Sequence, residues 1–383
     1  MLDRRARAIL ERDRAAFMAT LATDSRLFVE RQERLFRWLG DVPLESYELT
    51  VAWDRFGDLT RPKDLDRYPT SDAVMIPVTE ERYQIRGFDP KPAAEDLFYT
   101  FVRQDGEWLI AEDDDVSDLA LYSARHLWDF GPIEQHESEH FLLLAHPCKR
   151  DGGCLQDGPF LELAEEGMRT IERYWPVRWH RRTVVLVPKS GAELQRMIQS
   201  TFDLNNFVAF AYSTVDLADG LDYTGHRIIP NPKALEGRSN ESVGQILAHE
   251  MLHIATRDHA GPFVPIFVDE GFADYAGNDA DPGALAFFNS EVAAGLFSGA
   301  IPEDFEFTIG DGTDIYRSYQ EAQSAVRFFV DRWGLDAFVR FYRKLGRLEI
   351  VTGTTRYHVD RALKQTAGVD YETFQRMWAD SIT

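Results

Sequence analysis

Basic residues are scarce relative to acidic ones in this chain of 383 residues, which has 42 lysines and arginines against 64 aspartates and glutamates. The formal net charge at pH 7 is therefore −22. Nucleic acids and anionic membrane surfaces bind proteins through clustered cations. The composition argues against both as partners of this chain.

Long apolar runs are also missing from the sequence. No stretch approaches the roughly 18 consecutive apolar residues that a membrane span requires. The segment Met1–Arg5 and the residues after it lack the apolar core of a signal peptide. We therefore expect no membrane span, and either a cytosolic protein or one whose leader is absent from this sequence.

Cysteine is nearly absent, and the two that occur, Cys148 and Cys154, close a short loop that contains glycines. Such spacing favours a disulfide bridge, with two unlinked thiols as the alternative. A bridge would indicate an oxidising, extracytoplasmic compartment. The compartment therefore depends on whether these two thiols are joined.

The motif His249-Glu250-x-x-His253 carries the main chemical prediction. Residues four apart share one face of a helix, so the two imidazoles can bind one metal ion. In catalytic sites of this pattern Zn²⁺ takes a further protein ligand and a water, and the glutamate acts as general base. The motif predicts a Zn²⁺ cofactor with Glu250 as a catalytic residue.

The residues around this motif favour a helix. Capping residues begin at Ser239, and a stop signal occupies Asp258–Pro262. Between them apolar residues recur at the spacing of one helix face. These apolar residues are Val243, Ile246, Leu247 and Leu252. The pattern predicts a half-buried helix of about four turns between these two signals.

Two residues are candidates for the third metal ligand, His259 and Glu270. A ligand at His259 needs a sharp chain reversal after His253, where glycine is usual and this chain has Thr256. A β-branched residue resists the left-handed conformation of such a turn. This turn chemistry favours Glu270.

Glu270 lies in a second predicted helix, in which Gly271 permits close approach of another backbone. Asp274 follows four residues later and shares its face. Histidines that bind zinc usually donate their other N–H to a carboxylate. We therefore expect Asp274 to accept that hydrogen bond.

The run from Ile246 to His253, followed by Asp269–Tyr275, resembles the gluzincins, the zinc peptidases that include thermolysin and the zinc aminopeptidases. It is most similar to their compact bacterial branch, the peptidase MA-like family. The resemblance implies zinc held by His249, His253 and Glu270. It further implies that Glu250 is the general base and that Asp274 orients a ligand.

Similar families also place a tyrosine in a later helix, where it donates a hydrogen bond to the oxyanion. By its fit to Tyr-x-x-x-x-Ser-x-x-Arg, Tyr319 is the first choice and Tyr316 the second. The Gly-x-Met-Glu-Asn type of stretch, with which aminopeptidases bind a substrate amino terminus, is missing upstream. We therefore expect an endopeptidase that acts on a peptide or protein substrate.

The amino-terminal part, residues 1–135, is predicted to be a separate domain. Helical periodicity extends to about residue 38, and strand-like alternation follows from Tyr47, including a predicted strand at 97–102 and a hairpin turn at Gln104–Glu107. Helices followed by one curved antiparallel sheet make an α+β roll. The pattern resembles cystatin-like rolls and the amino-terminal regions of some actinobacterial surface proteins. Such a roll is either a scaffold for the second domain or a ligand site.

Residues 136–383 are predicted to form the gluzincin-like domain, with a small sheet, the zinc-binding helices and a helical carboxy-terminal part. The strand at 226–231 directly precedes the motif helix and is the candidate for the sheet edge that pairs with substrate. The fold class is α+β. The sequence thus predicts a zinc metallopeptidase, with a non-catalytic zinc-containing binding or sensor module as the alternative.

Overall fold

The chain is α+β, with short sheets and many helices. The computed structural model describes residues 1–148, 159–199, 204, 207–216, 222–261, 263–278, 281–347 and 354–382. Cys154 lies outside these residues, so the disulfide with Cys148 stays a prediction. None of the described helices is long and apolar enough to cross a membrane.

Helices and strands follow one another along the chain within these bounds. The strands are β1 (Leu44–Val51), β2 (Ala73–Met75), β3 (Thr79–Ile85), β4 (Ala93–Leu97), β5 (Thr100–Gln104), β6 (Glu107–Glu112), β7 (Glu134–Glu137), β8 (Phe141–Ala145), β9 (Thr183–Val187), β10 (Ala209–Asp216) and β11 (Asp222–Pro230). The helices are α1 (Leu2–Glu11), α2 (Arg14–Met18), α3 (Arg26–Trp38), α4 (Pro62–Arg67), α5 (Phe160–Tyr174), α6 (Gly191–Ile198), α7 (Pro232–Leu235), α8 (Asn240–Thr256), α9 (Ile266–Gly277), α10 (Ala286–Ala293), α11 (Gly312–Trp333), α12 (Leu335–Gly346), α13 (Thr355–Thr366) and α14 (Tyr371–Ile382).

The chain packs into two compact units, and each unit consists of two segments of the chain. The first unit comprises Met1–Gly158 and Arg182–Glu236, and the second comprises Pro159–Arg181 and Gly237–Thr383. The predicted boundary between residues 135 and 136 differs from this division by packing. It falls inside β7, which pairs with β8 in the first unit.

The first unit begins with helices followed by antiparallel strands, as the sequence pattern predicts. The strands form two three-stranded sheets, β1-β3-β4 and β2-β5-β6, instead of one curved sheet. The stretch predicted as one strand at 97–102 is interrupted between β4 and β5, so its two parts join different sheets. The predicted hairpin turn is present, since Asp105 and Gly106 both have positive φ between β5 and β6.

The other sheet of the first unit is mixed, in the order β10-β11-β9-β8-β7. Strand β11 pairs with β10 on one side and, in parallel, with β9 on the other. The prediction that strand 226–231 forms a sheet edge is therefore wrong, because both of its sides are already paired. Among the described strands, β10 and β7 lie at the ends of this sheet.

A buried acid–base pair lies inside the first unit. The Glu81 carboxylate is 2.6 Å from His126 Nε2 and accepts a hydrogen bond from the Tyr47 hydroxyl. Burial alone lowers the pKa of His126, but the charge of Glu81 outweighs it and raises the pKa to about 9. Burial acts against ionised Glu81 too, and His126 nevertheless lowers its pKa. A cavity of about 20 Å³ beside the pair has room for about one water.

The second unit is helical, and glycines set how closely its helices approach. A Cβ at Gly271 of α9 would lie 2.6 Å from the carbonyl oxygen of Ala322 in α11. A Cβ at Gly277, also in α9, would lie 3.1 Å from the backbone nitrogen of His249 in α8. The backbone that lies close to Gly271 is therefore that of α11. The glycine of α9 at the close contact with α8 is Gly277.

Substitution of Gly271 by alanine tests this packing. We expect Gly271→Ala to destabilise the second unit by about 1–3 kcal/mol, because the new methyl group meets backbone atoms that cannot turn aside. Gly244→Ala in α8 is the matched control, since its methyl group meets only Leu163 Cδ2, at 3.7 Å. It should stabilise the helix by about 0.5–1 kcal/mol. Urea denaturation followed by circular dichroism measures both; equal effects would contradict the packing described.

The His126–Glu81 pair predicts how stability depends on pH. A histidine pKa raised on folding stabilises the protein fully below about pH 6.5, and this stabilisation is lost as the pH rises through about 9. The lowered pKa of Glu81 contributes stability that is lost as the pH falls below about 4.5. The free energy of unfolding should therefore fall between pH 6.5 and 9 more steeply in wild type than in His126→Gln. His136→Gln is the control; identical slopes in wild type and His126→Gln would exclude the coupling.

Candidate metal centre

Helix α8 carries the histidine motif on a well-defined helix. Its amino-terminal cap is Ser239, whose hydroxyl oxygen accepts a hydrogen bond from the Ser242 N–H at 3.2 Å. The helix ends at Thr256, followed by a short 3₁₀ turn at Arg257–His259. The predicted helix and its cap at Ser239 are confirmed. Its last three turns are almost entirely buried, as expected for a helix that carries an interior site.

Three side chains converge where α8 meets α9. The Nε2 atoms of His249 and His253 lie 3.1 Å apart. One carboxylate oxygen of Glu270 is 3.1 Å from Nε2 of His249 and 3.4 Å from Nε2 of His253. Ligands at about 2.0–2.1 Å from a tetrahedral zinc ion lie about 3.3 Å from one another. Both the donor types and their spacing therefore fit zinc.

Each histidine uses its other nitrogen to contact an aspartate. Nδ1 of His249 lies 2.8 Å from Asp274, the residue expected from sequence to take this bond. Nδ1 of His253 lies 3.3 Å from Asp269, for which the sequence predicted no role. Its position directly before Glu270, in the first turn of α9, is the one sequence feature that could have indicated this contact. Two oriented imidazoles thus present their Nε2 atoms to one point.

Negative charge dominates the surroundings of the two histidines. Burial on its own lowers the pKa of His249, but hydrogen bonds to Asp274 and Glu270 hold it well above the usual value. Burial likewise opposes protonation of His253, and the charges of Glu270 and Asp269 outweigh it and raise its pKa to about 10. The surplus of carboxylate charge at this point favours a bound cation.

Glu250 lies on α8 between the two histidines in sequence and is only 7% exposed. Its charge acts on Tyr319 of α11. Burial raises the pKa of Tyr319 well above the usual value, and the carboxylates of Glu270, Asp274 and Glu250 raise it further. The phenol therefore keeps its proton and can donate a hydrogen bond.

The two candidate tyrosines differ in their surroundings. The ring of Tyr319 lies 6.5 Å from the His249 ring, between centroids, and 5.3 Å from Phe307. Tyr316 is 48% exposed, and its ring packs against Phe287 at 5.0 Å. Tyr319 is thus the tyrosine whose ring contacts a histidine of the cluster.

His259 is not part of the cluster. Its ring lies in the 3₁₀ turn after α8 and packs 5.6 Å from the Trp175 ring. Thr256 has φ −90° and ψ −11°, so the chain makes no left-handed turn there. The Thr256 hydroxyl donates a hydrogen bond to the Leu252 carbonyl oxygen at 2.9 Å, within the last turn of α8. The chain reversal that would bring His259 back to His253 is absent at Thr256.

A second group of acids, at Glu112–Asp114 in the first unit, has carboxylate oxygens close together. Arg31 contacts both Glu112 and Asp113. Arg125 pairs with Asp113 as well, at 2.9 Å. Because guanidinium groups already neutralise two of these three carboxylates, the cluster of two histidines and Glu270 is the better cation site.

Comparison with known proteins gives no family for this chain. No protein-family model matches it, and no curated protein matches it. The interpretation of the cluster of His249, His253 and Glu270 therefore depends on its chemistry and geometry.

Zinc stoichiometry distinguishes the two candidate third ligands. We expect Glu270→Ala to lose zinc, because two histidines alone leave the ion without its anionic ligand. His259→Ala should keep one zinc per chain. Elemental analysis after dialysis against zinc-free buffer measures both. Zinc retained in Glu270→Ala and lost in His259→Ala would assign the third ligand to His259.

Proposed function

We propose that this protein is a zinc-dependent peptidase. The observation that carries the proposal is the convergence of two imidazoles and one carboxylate, with ligand atoms 3.1–3.4 Å apart, beside a buried glutamate on the same helix. A purely structural zinc site has four protein ligands and needs no general base. A three-ligand set next to Glu250 suits catalysis.

His249, His253 and Glu270 would hold the zinc. The ion supplies a Lewis acid that polarises a substrate carbonyl and lowers the pKa of a water towards about 7. Glu250 accepts a proton from the attacking water and then delivers it to the leaving amine. Its position directly after His249 on α8 supports this role.

Tyr319 is the proposed donor to the oxyanion. Its contact with the His249 ring and its raised pKa, which keeps the phenol protonated, support this assignment. With zinc bound, Asp274 would keep His249 in the tautomer whose Nε2 lone pair faces the ion. The resemblance of the motif residues to gluzincins, and the missing amino-terminus-binding stretch, make an endopeptidase the preferred subclass.

A non-catalytic binding module is the second candidate. A pocket of about 250 Å³ in the first unit supports it. Charged and aromatic side chains line this pocket, and the Tyr212 hydroxyl donates to Glu95 at 3.0 Å. A ligand bound there would give the first unit a function of its own. The intact Glu250 favours the enzyme.

Substitution of Glu250 by glutamine tests the proposal. We expect Glu250→Gln to fold and to keep one zinc, because the amide preserves shape and the residue is not a ligand. Hydrolysis of casein should fall at least about 100-fold, since the amide cannot accept the proton. Glu241→Gln, at an exposed glutamate in the first turn of α8, is the matched control.

Two results would contradict the peptidase. Unchanged casein hydrolysis in zinc-loaded Glu250→Gln would exclude Glu250 as the base. Wild type that holds one zinc and cleaves no member of a mixed peptide library would favour the binding module.

A further inference from the structure

The Asp269 carboxylate connects the cluster of two histidines and Glu270 to a helix later in the sequence, α12. One of its oxygens lies 3.3 Å from Nδ1 of His253. The other accepts a hydrogen bond from the Tyr342 hydroxyl at 2.5 Å. Tyr342 belongs to α12 and is 73 residues further along the chain. The aspartate therefore bridges a candidate metal ligand and a residue outside α8 and α9.

Tyr342 is held rigidly by its neighbours. Its side chain is completely buried. Its ring lies 5.5 Å from the Trp175 ring and 6.1 Å from the Phe272 ring, between centroids. Aromatic packing of this kind restricts both the position and the tilt of a ring. The direction in which the hydroxyl points is thereby fixed.

A fixed hydroxyl fixes the carboxylate that it contacts. With one oxygen held by Tyr342, the Asp269 carboxylate presents its second oxygen to His253 in a single orientation. With zinc bound, the His253 N–H would lie at Nδ1, next to Asp269, and the Nε2 lone pair would be directed at the ion. Without the phenol hydroxyl, one Asp269 oxygen loses its hydrogen-bond donor, and the carboxylate is free to turn.

We propose that Tyr342 is a positioning residue that sets the zinc affinity of the cluster, acting through Asp269 and His253. The inference depends on the zinc centre of the proposed function. It makes α12 part of the metal site, although α12 supplies no ligand. Removal of a direct partner of a metal ligand, such as Asp269, lowers metal affinity by about 10- to 100-fold, and a smaller effect is expected for Tyr342, which lies one contact further from the metal.

A double-mutant cycle tests this chain of contacts. The variants are Tyr342→Phe, Asp269→Ala and the double substitution, with Tyr371→Phe as the matched control. Tyr371 is a buried tyrosine of α14 in the same unit. Competition with a chromophoric chelator gives the zinc dissociation constant of each protein. The visible absorption of the Co²⁺-loaded proteins reports the coordination geometry separately.

Asp269→Ala should bind zinc about 10- to 100-fold more weakly, and Tyr342→Phe about 3- to 10-fold more weakly with an altered Co²⁺ spectrum, while Tyr371→Phe matches wild type in both. Within the Asp269→Ala background, Tyr342→Phe should change the dissociation constant less than about twofold, because its path to the metal is already removed. This loss of effect separates positioning from a general loss of stability.

Either of two results would overturn the inference. One is a folded Tyr342→Phe with wild-type zinc affinity, and the other is an equal weakening in both backgrounds. If Tyr342→Phe fails to fold, Asp269→Ala decides, and normal zinc affinity in that variant rejects the proposal. Wild type that binds no zinc contradicts the proposed function itself, which separates the two failures.

Discussion

The packing of α8 against α9 is the constraint on which the metal cluster depends. At Gly277 the α9 backbone comes so close to α8 that a Cβ would lie 3.1 Å from the His249 nitrogen. This proximity lets Glu270 reach between two imidazoles and lets aspartates on either side reach their outer nitrogens. A side chain in place of Gly277 would separate the helices, and the ligand atoms would no longer converge.

The carboxylates around the two histidines favour a bound cation. The two histidines are surrounded by Asp269, Glu270 and Asp274, and these carboxylates raise both histidine pKa values. In a protein of net charge −22, concentrating three of its carboxylates in one partly buried place is unfavourable unless positive charge compensates them. Protons on the histidines can supply this charge, and in the proposed function a divalent ion replaces them.

Features that depend on residues close together in the sequence could be predicted from it. The cap at Ser239 and the helical spacing of apolar residues predict α8, and the β-branched Thr256 rightly disfavours a turn towards His259. Asp274 follows from its spacing after Glu270. Tyr342 does not follow, because its contact with Asp269 links residues 73 apart and depends on how α12 packs. The same limit applies to β11, since the strand order that makes it internal is not encoded in its own residues.

We propose that His249, His253 and Glu270 together hold one zinc ion. Anomalous diffraction from zinc-loaded crystals, collected on either side of the zinc absorption edge, tests it most directly. We expect one strong peak at about 2.0–2.2 Å from Nε2 of both histidines and from a Glu270 carboxylate oxygen. A peak coordinated by His259 in place of Glu270, or no peak at the cluster, would exclude this set of ligands.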